Sequence, residues 1–278
     1  MSTDKPNDYL DKYRVPGLPE VFYIPDFLTE HEEEFLLRKI NDAPQPKWKN
    51  LANRRYIIGG DVSKKNVLIA QQLPDFLCQF PDIIGRLRQT GAFDDAKHGE
   101  PNHVIINEYL AGQGIMPHED GPAYHPVVAT ISLGSHAVFN YYRYLSDDPS
   151  ITASVASAML SSKDAAEGRG RPINPNPVLS LLLEPRSLVI TRSSLYTGHL
   201  HGIEERKEDV FAPAPAPEEQ QENRDPAAEG EIGAVRVANW QTAQNEVART
   251  GGTLVRDTRV SLTCRDVDRV LDARRVGR

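Results

Sequence analysis

The sequence is poor in the features that mark several common protein classes. Only two cysteines occur in 278 residues, Cys78 and Cys264, far apart and in no metal-binding spacing. That argues against a disulfide-stapled scaffold and a cysteine zinc module, and makes a reducing location, cytoplasm and nucleus, the expected one. No run approaches the roughly 18 apolar residues that a membrane span needs, so no membrane association is expected. The opening "MSTDKPNDYL" has no basic segment followed by an apolar one, so no secretory signal is expected. No internal repeat of fixed period is visible.

What is present is ordinary in bulk and uneven in detail. Charged residues make up 26% and hydrophobic ones 39%, as in soluble globular domains. The length suffices for one large domain or two small ones, with a substantial core. The net charge of -7 is concentrated between Glu204 and Glu231, where ten acidic residues face only Arg206, Lys207 and Arg224. Outside that segment the chain is neutral, and within the neutral part Lys47 to Lys65 holds six Lys or Arg residues against Asp61 alone. A local basic patch of that kind survives an acidic total.

Along the chain, residues 1–19 are polar and read as a flexible N-terminus. "VFYIPDFL" predicts a short strand. "TEHEEEFLLRKIND" predicts a helix, with Thr29 at the N-cap and Glu32 three residues on, the capping-box spacing. "LPDFLCQFPDIIGRLRQTGAF" reads as helical with a break at Pro81. From His103 the texture becomes β-rich: short runs of Val, Ile, Leu, Thr and Tyr, punctuated by Gly, Pro, Asn and Asp, predict a sandwich or barrel. Two polar segments, 147–177 and 206–233, read as loop insertions, the second too rich in Pro, Ala and Glu to offset its own ordering entropy. A short helix is expected in "VRVANWQTAQNEVART". The expected organisation is a single domain: an N-terminal extension over 20–102 and a β-core over 103–268.

The chemistry lies in a few short motifs. In "NEYLAGQGIMPHEDG", His118 and Asp120 stand two apart, so an extended chain turns both to one face. A non-heme Fe(II) site of two histidines and one carboxylate needs a second histidine. "SLYTGHLHGIEER" offers His201, with His199 as the alternative. Downstream, "RVSLTCR" places Arg259, Ser261, Thr263 and Arg265 at even spacing on one strand face. Two arginines turned into a β-core are costly unless they meet anions, and arginine holds carboxylates bidentately.

Taken together, N-x-Y-x-x-G, H-x-D, HGI and R-x-S-x-T-x-R, spanning Asn107 to Arg265, resemble the AlkB-type family of Fe(II)- and 2-oxoglutarate-dependent dioxygenases. "HEDGPAYHPVVATISLGSHAVFNYY" and "PQPKW" are similar to the subfamily called AlkB homolog six. The resemblance implies a double-stranded β-helix, or jelly roll, with an N-terminal helical extension. It implies Fe(II) held by His118, Asp120 and His201. It further implies 2-oxoglutarate contacted by Asn107, Tyr109, Arg259, Ser261 and Arg265, with O2 as the other cosubstrate. Ser261 departs from the bacterial pattern, which has Asn there. The HGI context favours His201 over His199.

The implied activity is oxidation of a C–H bond, which on an N-methyl group ends in loss of formaldehyde. The family carries a nucleotide-recognition lid upstream of its β-core. Residues 46–65 fall there, with Lys49, Arg54 and Arg55 placed to grip phosphates and Trp48 or Tyr56 to stack a base. The expected substrate is single-stranded or alkylated nucleic acid. A protein substrate and a binding module without turnover are the alternatives. A monomer is expected. Tyr141, Tyr142 and Tyr144 read as strand packing, and His125 and His136 as loop or surface positions.

Overall fold

The computed structural model describes residues 6–147, 171–215 and 233–272. The first four strands are β1 (Val21–Ile24), β2 (Lys49–Leu51), β3 (Arg54–Ile58) and β4 (Gly60–Val62). Then come β5 (Leu68–Ala70), β6 (His103–Tyr109), β7 (Ile115–His118), β8 (Tyr124–Leu133), β9 (Ala137–Tyr142) and β10 (Leu179–Leu183). The last six are β11 (Leu188–Arg192), β12 (Leu200–Ile203), β13 (Glu208–Phe211), β14 (Gly252–Val255), β15 (Arg259–Val267) and β16 (Val270–Asp272).

A seven-stranded antiparallel sheet has the order β1-β11-β8-β15-β6-β3-β2, and a four-stranded antiparallel sheet the order β10-β9-β12-β7. The two form the double-stranded β-helix. Two small sheets, β13-β14 and β16-β5-β4, flank it. No helix among the described residues is long and apolar enough to cross a membrane.

The alternation on β15 shows how the large sheet divides its faces. Val260, Leu262 and Cys264 are buried in the largest core cluster, together with Ala129 and Ile131 of β8 and Val104 and Ile106 of β6. Helices cover this side. The helix Glu30–Asn41 contributes Leu36 and Ile40, and the helix Ile83–Gln89 contributes Ile83 and Leu87. The first of these starts as its sequence dictates: the Thr29 hydroxyl accepts from the Glu32 amide, and the Glu32 carboxylate accepts from the Thr29 amide at 2.8 Å. A second cluster includes Val21, Tyr23 and Val189 of the large sheet with Tyr141, Leu181 and Leu183 of the small one. The alternate β15 side chains, Arg259, Ser261, Thr263 and Arg265, line the pocket into which both sheets also send side chains.

The structure corrects several sequence expectations. Residues 9–19 are packed: Leu10 and Val15 are buried, and Arg14 forms a β-bridge with Phe22. Residues 1–5 lie outside the described residues. The extension over 20–102 contains five strands as well as helices, and the basic segment is a β2-β3 hairpin hydrogen-bonded to β6. The segment 206–233 begins with β13, which is paired to β14; its residues 216–232 lie outside the described residues, as do 148–170 of the other insertion. After it, among the described residues, only Val247–Thr250 is helical. Asn239 instead caps the free edge of β10, its amide exchanging bonds of 2.9 and 2.8 Å with the Leu182 backbone. His125 lies in β8 rather than in a loop, whereas His136 does lie in the β8–β9 loop but is buried there: it bonds Asp209 at 3.1 Å, and Asp209 also holds Arg256 through two oxygens.

Candidate metal centre

His118 ends β7 and His201 lies in β12, and the two residues sit directly opposite each other in the antiparallel pair. Asp120 follows β7 in the loop to β8. One ligand atom from each of the three lies within 4.8 Å of those of the others. The histidine ring centroids are 4.4 Å apart, and the His201 Nε2 is 4.0 Å from Asp120 Oδ1. Between the His118–His201 pair and the Ile115–Ile203 pair β7 carries an extra residue, so its backbone bulges against β12. Gly202 is required there: a Cβ on it would meet the Ile115 carbonyl oxygen at 2.9 Å and the Pro117 nitrogen at 3.0 Å. The glycine of His-Gly-Ile thus lets the strand carrying one ligand approach the strand carrying the other.

The electrostatics suit a metal. His118 Nδ1 donates to the Met116 carbonyl at 2.8 Å, which fixes the ring and leaves Nε2 free as a donor atom. Burial lowers the pKa of both histidines, that of His201 to about 4, so both imidazoles are neutral. Burial alone would raise the Asp120 pKa, but Arg265, then His201 and His118, hold the carboxyl below its usual range. Two neutral imidazoles and one carboxylate are the protonation states that metal binding needs. His199 is turned elsewhere, its Nε2 accepting from Arg143 Nε at 3.0 Å.

Next to this triad the pocket is lined by Asn107, Tyr109, Arg259, Ser261 and Arg265. Arg265 bonds Asp120 through Nη2 and lies over the Tyr124 ring, 5.0 Å from its centroid. Arg259 is 3% exposed, and among the described residues it has one hydrogen bond, 2.9 Å to the Ser132 hydroxyl. Its Nε has no partner, and no carboxylate pairs with it among the described residues. Burial lowers its pKa to about 10. A buried cation left in that state fits an anionic ligand that brings its own carboxylate.

The residues of the basic segment do not act together. Strand alternation puts Lys49, Arg54 and Tyr56 on the sheet face shared by Asn107 and Tyr109. Arg54 Nε donates to Asn107 Oδ1 at 3.3 Å, and its charge reaches Tyr109 and His118. Trp48 and Arg55 belong to the other side, against expectation. Trp48 is 6% exposed in the main core, and Arg55 lies 4.2 Å over its ring while forking onto Glu108 at 2.6 and 2.7 Å. That ring is not available to a base, nor that guanidinium to a phosphate. Sequence reasoning also missed Thr130, Tyr141, Thr191 and Tyr196, which line the pocket. Tyr141 both packs in the core, as expected, and bonds Thr191 at 2.5 Å. Alternation on β8 and β11 was the available clue to the two threonines.

A family model described as the 2OG-Fe(II) oxygenase superfamily matches residues 29–265. A Danio rerio protein described as "Probable RNA/DNA demethylase ALKBH6" is 37% identical over 265 residues, which is 95% of this chain and 93% of that one. An Arabidopsis thaliana protein described as "Alkylated DNA repair protein ALKBH8 homolog" is 26% identical over 69% of this chain and 53% of its own length. A solved structure, "The structure of OsALKBH1", aligns over 89% of this chain and 98% of its own at 15% identity, with a TM-score of 0.43.

Proposed function

Since the chain belongs to the 2OG-Fe(II) oxygenase superfamily, we propose that it removes alkyl groups oxidatively from nucleic acid, with His118, Asp120 and His201 as the iron ligands. The observation that carries the site assignment is the pairing of that triad with a buried arginine, Arg259, that has no carboxylate partner among the described residues. Fe(II), 2-oxoglutarate and O2 are the cofactor and cosubstrates of the superfamily. When bound, they supply the oxidation: one oxygen atom enters succinate as CO2 is lost, and the other enters a substrate C–H bond. An N-methyl group hydroxylated in this way leaves as formaldehyde, and the nitrogen keeps a proton.

The protein's own residues bind, orient and seclude. Arg259, steadied by Ser132, takes the distal carboxylate of 2-oxoglutarate, with Tyr109 and Ser261 beside it. Arg265 keeps Asp120 ionised and aligned while facing the metal end of the cosubstrate. Phe139 stacks on His201 at 5.4 Å between centroids and closes off one wall. Substrate approaches over the face bearing Lys49, Arg54 and Tyr56. Nucleic acid is favoured by that cationic, aromatic face and by the description of the Danio rerio relative. Cytoplasm and nucleus are the proposed location, consistent with two free thiols, one of them exposed.

The test is product formation from single-stranded oligonucleotides that carry N-methylated bases, matched unmodified oligonucleotides, and N-methylated peptides. Formaldehyde released with one equivalent of succinate from the methylated oligonucleotide alone is the expected result. Release from the peptides alone would transfer the activity to proteins.

A further inference from the structure

Buried polar atoms around the pocket that find no partner among the described residues include Asp120 Oδ2, Arg259 Nε, Arg265 Nε and the Tyr196 hydroxyl. The first three belong to groups already given a role. Tyr196 has none, and yet the fold takes trouble to place it. Its helix, Ser193–Thr197, opens with Ser193 at φ 58°, a conformation that residues other than glycine rarely adopt. The Glu20 carboxylate fastens the first turn, accepting from the Ser194 amide at 3.0 Å, the Ser194 hydroxyl at 2.7 Å and the Leu195 amide at 2.9 Å. Leu195 anchors the turn in the second core cluster. Tyr196 is left lining the pocket, where its phenol feels Asp120, Arg265 and Tyr124.

Burial and the Asp120 charge raise the phenol pKa, so the group is a neutral donor. Arg265 has spent Nη2 on Asp120 and still holds an unpaired N–H at Nε. Tyr196 and Arg265 both line the pocket, each with an unsatisfied donor, and Arg265 brings positive charge to it. An acceptor serving both needs at least two lone pairs and is best an anion. We propose that the Tyr196 hydroxyl donates, beside Arg265, to the carboxylate of 2-oxoglutarate that lies next to the metal. This rests on the site assignment made above, and it adds a residue to the cosubstrate's metal end.

The experiment is Tyr196→Phe in the full chain, with two readouts that need no turnover. Calorimetric titration of 2-oxoglutarate into the Ni(II)-loaded protein should show binding weaker by about 10- to 100-fold, the range for losing a hydrogen bond to a charged group. The 2-oxo acid 2-oxovalerate, which lacks the distal carboxylate, should lose affinity by the same factor. Melting without ligand should stay level or rise, because the variant no longer buries an unpaired hydroxyl. Equal affinity of wild type and Tyr196→Phe for 2-oxoglutarate overturns the proposal and leaves the hydroxyl to a bound water. So does a large fall in ligand-free melting temperature, which would reveal a partner within the protein. Wild-type protein that binds no 2-oxoglutarate would instead overturn the assignment of the site itself.

Discussion

Replacing Arg259 should have opposite effects on binding and on stability. The guanidinium is buried, and among the described residues its hydrogen-bond partner is one neutral hydroxyl at 2.9 Å. Burial lowers its pKa from 12.5 to about 10, which corresponds to a cost of about 3 kcal/mol carried by the ligand-free protein. Because both values lie well above neutrality, that cost is present throughout the ordinary pH range and is relieved only as pH rises past about 10. A dicarboxylate that pairs with the guanidinium recovers it. Arg259→Met should therefore weaken 2-oxoglutarate binding by about 3–5 kcal/mol, roughly 100- to 1000-fold or more. In the absence of ligand the same variant should melt at an equal or higher temperature, since methionine fills the site without a charge. Arg259→Lys should recover only part of the affinity, as an ammonium lacks the fork. The assay is calorimetric titration of 2-oxoglutarate into metal-loaded protein, paired with thermal melting of the free protein. Unchanged affinity in Arg259→Met would refute the anchoring role. A sharp loss of ligand-free stability would refute the idea that the cation lacks a partner.

Other outcomes follow from the same geometry. Anaerobic Fe(II) and 2-oxoglutarate should give a weak visible charge-transfer band that His118→Ala, Asp120→Ala and His201→Ala abolish and His199→Ala spares; a band surviving His201→Ala would reassign the ligand. Arg54→Ala should flatten the salt dependence of single-stranded oligonucleotide binding by about 0.7 in log–log slope, as for one lost phosphate contact. Arg55→Ala should leave that slope alone, and Trp48→Ala should cost about 3–5 kcal/mol in denaturant-measured stability as a core truncation. Asp209→Asn should cost about 3–5 kcal/mol by uncovering Arg256. Burial opposes ionisation of Asp209, but bonds from His136 and Arg256 hold its pKa below the usual value. Its contribution is therefore complete above about pH 4 and fades as pH falls through the folded-state value, so wild type and Asp209→Asn should converge in acid melts.

The parts of the fold that were legible in the sequence are those governed by local rules. Thr29 and Glu32 announce a helix start because a capping box needs nothing beyond four residues. Arg259 to Arg265 announce an inward polar face because a strand alternates with a period of two. The basic segment was misjudged for the same reason. Counting charge over Lys47 to Lys65 treats neighbours as equivalent, whereas in a hairpin Arg54 and Arg55 leave by opposite faces, one to the pocket and one to Glu108 and Trp48. Tyr196 was beyond reach, since its position depends on Glu20, which is 174 residues from Ser194 in sequence. The partners of Asp209 are equally remote: His136 is 73 residues away and Arg256 is 47.

The direct opposition of His118 and His201 ties metal loading to assembly of the sheet. Among the described residues β7 is an edge strand held by β12 alone within its sheet, and the histidine pair faces across the strands in the bulged register that seats Gly202 against Pro117. A slip of one residue would send His118 to the far face. Iron held by the triad would work as a clasp on this edge strand, closing it when the register is right and failing to close it otherwise. Because a ligand that binds only the closed form stabilises that form, chelation should loosen the backbone of Ile115–His118 before any other strand of the barrel. Amide exchange at that edge would then report how much of a preparation carries metal.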